Sequence, residues 1–144
     1  MNNGINRVVG GWDIHSMRGS GIGEMIIGGV LRLHTGSNRI EVHSPAELTT
    51  NREVVPVHTS ARLNLDRLPQ LLDQVVAEVH AADSGSLRVR FAGGWRLDVP
   101  VSSSAFGWIV ALQGSHFISS LPGGGVGIPG RQGPEGQPAA AATS

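Results

Sequence analysis

The sequence predicts an α+β chain, mainly antiparallel β: two related hairpin or meander units joined by one short helix and followed by a disordered C-terminal tail. Three observations predict it. Leu31-Arg32-Leu33-His34, a turn, then Arg39-Ile40-Glu41-Val42 alternates apolar and polar residues on both sides of the turn. Leu87-Arg88-Val89-Arg90, a turn, then Arg96-Leu97-Asp98-Val99 repeats the pattern. Such alternation turns one face of each hairpin to a core and the other to water. Between the two, Leu65, Leu68, Leu71, Leu72, Val75, Val76 and Val79 fall at helical spacing.

Arg7 to Ile14 reads as an opening strand broken by the Gly10-Gly11 pair, and Met17 to Gly23 as a glycine-rich loop. Glu24 to Ile27 is a short apolar strand, and Gly28-Gly29 permits a bend before the first hairpin. Thr35-Gly36-Ser37-Asn38 supplies turn residues that tolerate positive φ. Ser44-Pro45-Ala46 begins a connection. Glu53 to His58 reads as an edge strand, because Pro56 has no N–H to give a ladder.

The helix is placed from about Leu68 to Gln74, with Pro69 in its first turn and Asp66 as its cap. The β-branched Val75, Val76 and Val79 favour a strand from there to about Ala81. Asp83 to Ser86 turns into the second hairpin, whose own turn is Ala92-Gly93-Gly94. Trp108 to Leu112, a turn at Gln113-Gly114-Ser115, His116 to Leu121 and a last piece at Val126 to Ile128 complete the strands. Residues 1–128 are thus expected to form one domain, with related units at about 7–44 and 75–128. From Pro129 onward the chain is nearly all Gly, Pro, Ala, Gln, Ser and Thr. Such a segment buries too little apolar surface to offset its ordering entropy, so 129–144 is expected to be a disordered tail.

Arg and Lys together number 11, as do Asp and Glu, and every one of the cations is Arg. A net charge of zero gives no field that draws nucleic acid or an anionic membrane, so neither is an expected partner. The absence of Cys excludes disulfides, thiolate nucleophiles and cysteine-ligated zinc. No apolar run approaches the ~20 residues of a membrane-spanning helix. Met1-Asn2-Asn3-Gly4 does not open a basic and then apolar leader, and a cytoplasmic location is expected.

The run Val79, then Asp83-x-Gly85-x-Leu87-x-Val89-x-Phe91-x-Gly93-Gly94-x-x-Leu97-x-Val99-Pro100, resembles a family of small bacterial proteins, domain-of-unknown-function family 6188. The later stretch Trp108-x-Val110, Gly114 and Leu121-Pro122-Gly123-Gly124 resembles it too. The resemblance covers roughly residues 7 to 128. Order and spacing carry it, since a Gly-Gly hairpin or a Pro-Gly-Gly turn is common in β proteins. It implies a fold outline and supplies no catalytic residue.

Chemistry-bearing residues are present without a constellation. His15, His34, His43, His58, His80 and His116 include no pair at a short chelating spacing on one element, so no metal is expected. Pairing about Gly36-Ser37 sets Glu41 opposite Arg32, and the second hairpin sets Asp98 opposite Arg88. Cross-strand ion pairs on a wet face account for these carboxylates better than acid–base catalysis. Ser102-Ser103-Ser104 and Ser119-Ser120 lack a nucleophile elbow, and the glycine clusters lack a P-loop Lys. Three tryptophans are the largest apolar groups, and core packing accounts for at least two of them. The residues assigned to an interface are Trp12, Phe106, Trp108 and Phe117.

The expected function is a non-enzymatic protein-interaction module, immunity- or antitoxin-like, with no cofactor. Its partner would be another protein or a second copy, because exposed edge strands invite pairing. The alternative is a small-ligand binder or weak hydrolase, which requires two histidines converging on a carboxylate such as Glu41 or Glu78.

Overall fold

A computed structural model of the chain describes residues 4–102, 107–113 and 116–128. In chain order the strands are β1 (Asn6–Val8), β2 (Gly11–Asp13), β3 (Glu24–Ile27), β4 (Leu31–Thr35), β5 (Asn38–Val42), β6 (Ala46–Thr49) and β7 (Val54–Val57). They continue with β8 (Val76–Ala82), β9 (Leu87–Phe91), β10 (Arg96–Val99), β11 (Trp108–Leu112), β12 (His116–Ser120) and β13 (Val126–Gly127). They form a seven-stranded sheet, β1-β2-β8-β9-β10-β6-β7, and a six-stranded sheet, β13-β12-β11-β5-β4-β3. Every pairing is antiparallel. The mainly antiparallel β character is as the alternation predicts.

The inward positions of both hairpins are buried: Leu31 and Leu87 are 2% exposed, Leu33 and Val89 0%. They join a single hydrophobic cluster that includes Ile40, Leu48, Leu97, Val110 and Ile118. The two sheets therefore meet face to face, as in a sandwich. Between them, Gly21 and Val75 form an antiparallel bridge, flanked by Ile22 N–H to Gln74 O (2.9 Å) and Val76 N–H to Ser20 O (2.8 Å).

Both sheets contain the same five-strand order: a three-stranded meander followed by a hairpin. In the six-stranded sheet these are β3-β4-β5 and β11-β12; in the seven-stranded sheet they are β8-β9-β10 and β6-β7. The registers match step for step. Leu31 faces Val42 and Leu87 faces Val99; Ile40 faces Val110 and Leu97 faces Leu48; Val110 faces Ile118 and Leu48 faces Val55. The hairpin that follows each meander in the chain thus pairs in the other sheet. Units drawn at 7–44 and 75–128 do not coincide with the sheets, and β6–β7, outside both, is the positional counterpart of β11–β12.

Four local expectations are corrected. The opening strand is a hairpin, β1–β2, because Gly10 takes φ +81° and reverses the chain. The connection after Pro45 contains β6, whose two inward residues, Ala46 and Leu48, are too few to announce a strand. The helix is a 3-10 helix at Leu65–Leu71, not 68–74. Leu65, Leu68 and Leu71 recur every third residue, which suits three residues per turn, and Pro69 inside it lacks an N–H. Its cap position is Asn64 rather than Asp66. Asn64 makes no capping bond; its side-chain amide donates to Pro56 O at 2.7 Å. Leu68 and Leu71 are fully buried, Leu68 beside Leu31, Val42 and Val57, so this helix closes one end of the sandwich. A second short 3-10 helix, His15–Met17, buries Met17 and packs on β8. The expectations for the tail at 129–144, for the turn at Gly114-Ser115 and for Ser103 and Ser104 lie outside the described residues.

Candidate functional site

The four residues assigned to an interface have different fates. Trp108 is 0% exposed and its indole N–H donates to Gly85 O at 2.9 Å, so it is a core anchor rather than a surface one. Trp12 is half-buried against the core beneath the Arg7 guanidinium, 5.1 Å from the ring centroid. Phe117 is exposed on the outer face of the six-stranded sheet, opposite Ala111. Phe106 lies outside the described residues.

The two outer faces carry equivalent charge groups. Glu41 lies opposite Arg32, with Arg32 Nε at 3.6 Å and Arg39 Nε at 2.7 Å; Asp98 lies opposite Arg88, with Arg88 Nε at 2.9 Å and Arg96 Nε at 2.7 Å. Each carboxylate is thus shared by two guanidinium groups, as expected for ion pairs on a sheet face. Beyond these groups the faces diverge. At matching positions the next strand presents Glu47 and Thr49 on the seven-stranded sheet but Ile109 and Ala111 on the six-stranded one.

Glu41 also accepts a hydrogen bond from His43 Nε2 at 3.1 Å. Burial raises the Glu41 carboxyl, but the His43 hydrogen bond and the charges of Arg39 and Arg32 outweigh it and hold the group below its ordinary value of 4.5. The native carboxylate therefore binds its proton more weakly than the unfolded chain does. The stability this contributes is fully present above the ordinary value and is lost as pH falls through the depressed native one. Glu41→Gln is expected to cost about 1 kcal/mol at neutral pH and progressively less in acid. Urea denaturation of both proteins across that range checks it; a cost that stays constant with pH refutes it.

The histidines do not converge. His34 faces Glu24 and Arg39 across the strands, His58 meets Ser60 at 2.9 Å, and His80 faces Asp13 and Arg88. Glu41 meets one histidine, and Glu78 pairs with Arg90 at 3.0 Å. Among the described residues no group of three or more His, Asp or Glu could hold a metal ion.

The outermost strands distinguish one edge from the other three. On the seven-stranded sheet, β7 carries Pro56, which cannot donate to an incoming strand, and β1 is three residues long with Arg7 tied to Asp83 at 2.9 Å. On the six-stranded sheet β13 is two residues. The fourth edge, β3, has the sequence Glu-Met-Ile-Ile, with Ile26 42% and Ile27 37% exposed. Among the described residues it pairs with β4 alone. Past its end the Thr59 hydroxyl donates to Gly29 O at 3.1 Å, fastening the β3–β4 turn. The sequence marked this strand as short and apolar, but nothing local says that it ends a sheet.

These features define a two-sheet antiparallel β protein in which, among the described residues, the largely apolar β3 edge carries no second strand. The chain belongs to a family of unknown function, DUF6188, whose model matches residues 13–130. No curated protein and no solved structure matches it. No helix among the described residues is long and apolar enough to cross a membrane.

Proposed function

We propose that the chain is a non-enzymatic protein-interaction module that accepts an extended segment of another polypeptide along β3. The observation that carries this reading is the edge itself: four residues, three of them apolar, with Ile26 and Ile27 exposed and no second strand among the described residues, where the other three edges are shortened, tied or proline-capped. Strand addition supplies affinity through main-chain hydrogen bonds and selectivity through alternate side chains. Farther along the same outer face, beyond the charged group on β4 and β5, Ile109, Ala111 and Phe117 supply apolar area at positions where the opposite sheet carries Glu47 and Thr49 beside its own charged group. An immunity- or antitoxin-like role in the cytoplasm is the specific form of this proposal, with a small scaffold occupying the partner by sheet extension. The matched registers of the two sheets support a further part of it, that the chain is a duplicated unit whose hairpins changed places.

The test places a photo-crosslinking residue at Ile26 and at Val54, on the β3 and β7 edges, in the full chain in its native host. Crosslinks from the first site and not the second, identified by mass spectrometry, are expected. A homodimer would appear as a crosslink to the chain itself. Ile26→Lys is expected to weaken the complex at least about tenfold, one desolvated apolar contact being replaced by a charge. Its fold should change by no more than about 0.5 kcal/mol, as for other surface substitutions. A complex that survives Ile26→Lys unchanged, or no complex at all, ends the proposal.

A further inference from the structure

The apolar residues of β3 reach its edge from both sides of the sheet. Ile26 stands opposite Arg32 and shares the outer face with it. Met25 and Ile27 stand opposite Leu33 and Leu31, both buried, and so share the core face. Met25 packs on the core, yet Ile27 on the same face is 37% exposed. The core thus runs out to this edge and, among the described residues, no further strand covers it.

The ladder fixes which main-chain groups of β3 are available. Gly28 N–H donates to Val30 O at 3.2 Å, so 28 and 30 form a hydrogen-bonded pair in the register that joins Ile26 to Arg32. Hydrogen-bonded and non-hydrogen-bonded pairs alternate along an antiparallel ladder. Glu24 and Ile26 therefore bond to β4, while Met25 and Ile27 turn N–H and C=O away from it. Among the described residues nothing pairs with those outward groups. The available stretch is short. Before it, Ile22 bonds to Gln74 O and to Asp73 N–H, each at 2.9 Å; after it, the chain turns at Gly28.

We propose that in the free chain this edge is occupied by β3 of a second copy, the two strands running antiparallel about a two-fold axis at Ile26. Two six-stranded sheets are then joined edge to edge. The inference rests on the reading of β3 as a docking edge and names what fills it when no other protein does. In this register Met25 stands opposite Ile27 of the second copy, and Ile27 opposite its Met25. Both are hydrogen-bonded pairs, so every outward main-chain group of the two strands is used. Between them Ile26 meets its own counterpart in a non-hydrogen-bonded pair, where side chains approach most closely.

Charge and side-chain size select this register over its neighbours. Glu24 falls opposite Gly28 of the second copy, which keeps the two carboxylates about 14 Å apart along the strands. In-register parallel pairing would set Glu24 beside Glu24, and like charges directly opposite destabilise a sheet. Moving the axis to Met25 sets Ile27 against Gly23, and moving it to Ile27 sets Ile26 against Gly28. A contact this short lies at the weak end of interface size, so a segment of another protein that uses the same groups displaces it.

The chain has no Cys, so a single engineered thiol reports the register. At the axis the two Cα atoms are about 4.5 Å apart, a spacing that a disulfide spans. Ile26→Cys is expected to form a disulfide-linked dimer in a glutathione redox buffer, and Glu24→Cys to do so at least about tenfold more slowly. Sedimentation velocity of the unmodified full chain from about 5 μM to about 1 mM is expected to show a reversible monomer–dimer equilibrium. Ile26→Lys should raise its Kd at least about tenfold, and Val54→Lys, on the β7 edge, should leave it unchanged. Should Ile26→Lys fail to fold, the thiol pair decides. A chain that stays monomeric throughout, equal linking rates for the two thiols, or a dimer that survives Ile26→Lys overturns the proposal. None of these outcomes touches the docking of another protein at β3, which fails instead if the crosslinker at Ile26 captures no other protein in the host.

Discussion

Trp108→Ala is expected to remove about 3–5 kcal/mol of stability, the range for deleting a large aromatic side chain from a core. Trp108 is fully buried on β11, an interior strand of the six-stranded sheet, between β5 and β12. It faces Val42 across the ladder. Its indole N–H reaches the other sheet and donates to Gly85 O, in the turn between β8 and β9. One side chain therefore fills volume in one layer and satisfies a carbonyl in the next. Its backbone is held equally firmly: the Ser120 hydroxyl, 1% exposed with its residue, accepts from Gly107 N–H at 2.7 Å and from Trp108 N–H at 3.2 Å. Trp108→Phe keeps most of the volume but orphans the Gly85 carbonyl, and is expected to cost about 1–3 kcal/mol. Urea denaturation of both variants checks the pair. A Trp108→Ala protein within about 1 kcal/mol of the parent would show that the indole is dispensable.

Gly85→Ala is expected to be comparably damaging, at about 3 kcal/mol, for a backbone reason. Gly85 sits at φ +108°, a conformation that residues with a Cβ rarely adopt. A Cβ there would lie 2.8 Å from Gly125 N and 2.9 Å from Gly125 O. Both are main-chain atoms of a turn fastened by Gly125 N–H to Ser84 O at 2.8 Å, so no side chain can rotate out of the way. The 84–85 turn must separate from the 124–125 turn, and the carbonyl that receives the Trp108 indole moves with it. Gly85→Ala and Trp108→Phe should then be non-additive, the double variant losing about 1 kcal/mol less than the sum. Additive losses would mean that the turn opens without disturbing the indole bond.

Much of the local structure was legible because a half-buried strand writes its burial into alternate residues. Leu31, Leu33, Leu87 and Val89 face the core, and Glu41 and Asp98 meet Arg32 and Arg88, as the alternation requires. Where the signal thinned, the reading lost its accuracy. Two inward residues could not announce β6, and the leucines at 65, 68 and 71 fit helices of either three or 3.6 residues per turn until Pro69 and the packing of Leu68 and Leu71 are seen. Trp108 reads as a large apolar residue at the start of a strand, which suits core and interface alike; only its neighbours assign it to the core.

The amino-acid sequence by itself determined most of the strands, which face of each hairpin is greasy, that cysteine chemistry is absent, and that the charge is balanced. Those properties belong to single residues and their nearest neighbours along the chain. Only the tertiary structure decided that each hairpin crosses to the other sheet, that β3 ends one sheet, pairing among the described residues with β4 alone, and that Thr35 is buried where Phe91 stands at the matching position. Edges and crossings are relations between segments far apart in the chain, and a strand's pattern states which side is buried without stating what lies beside it.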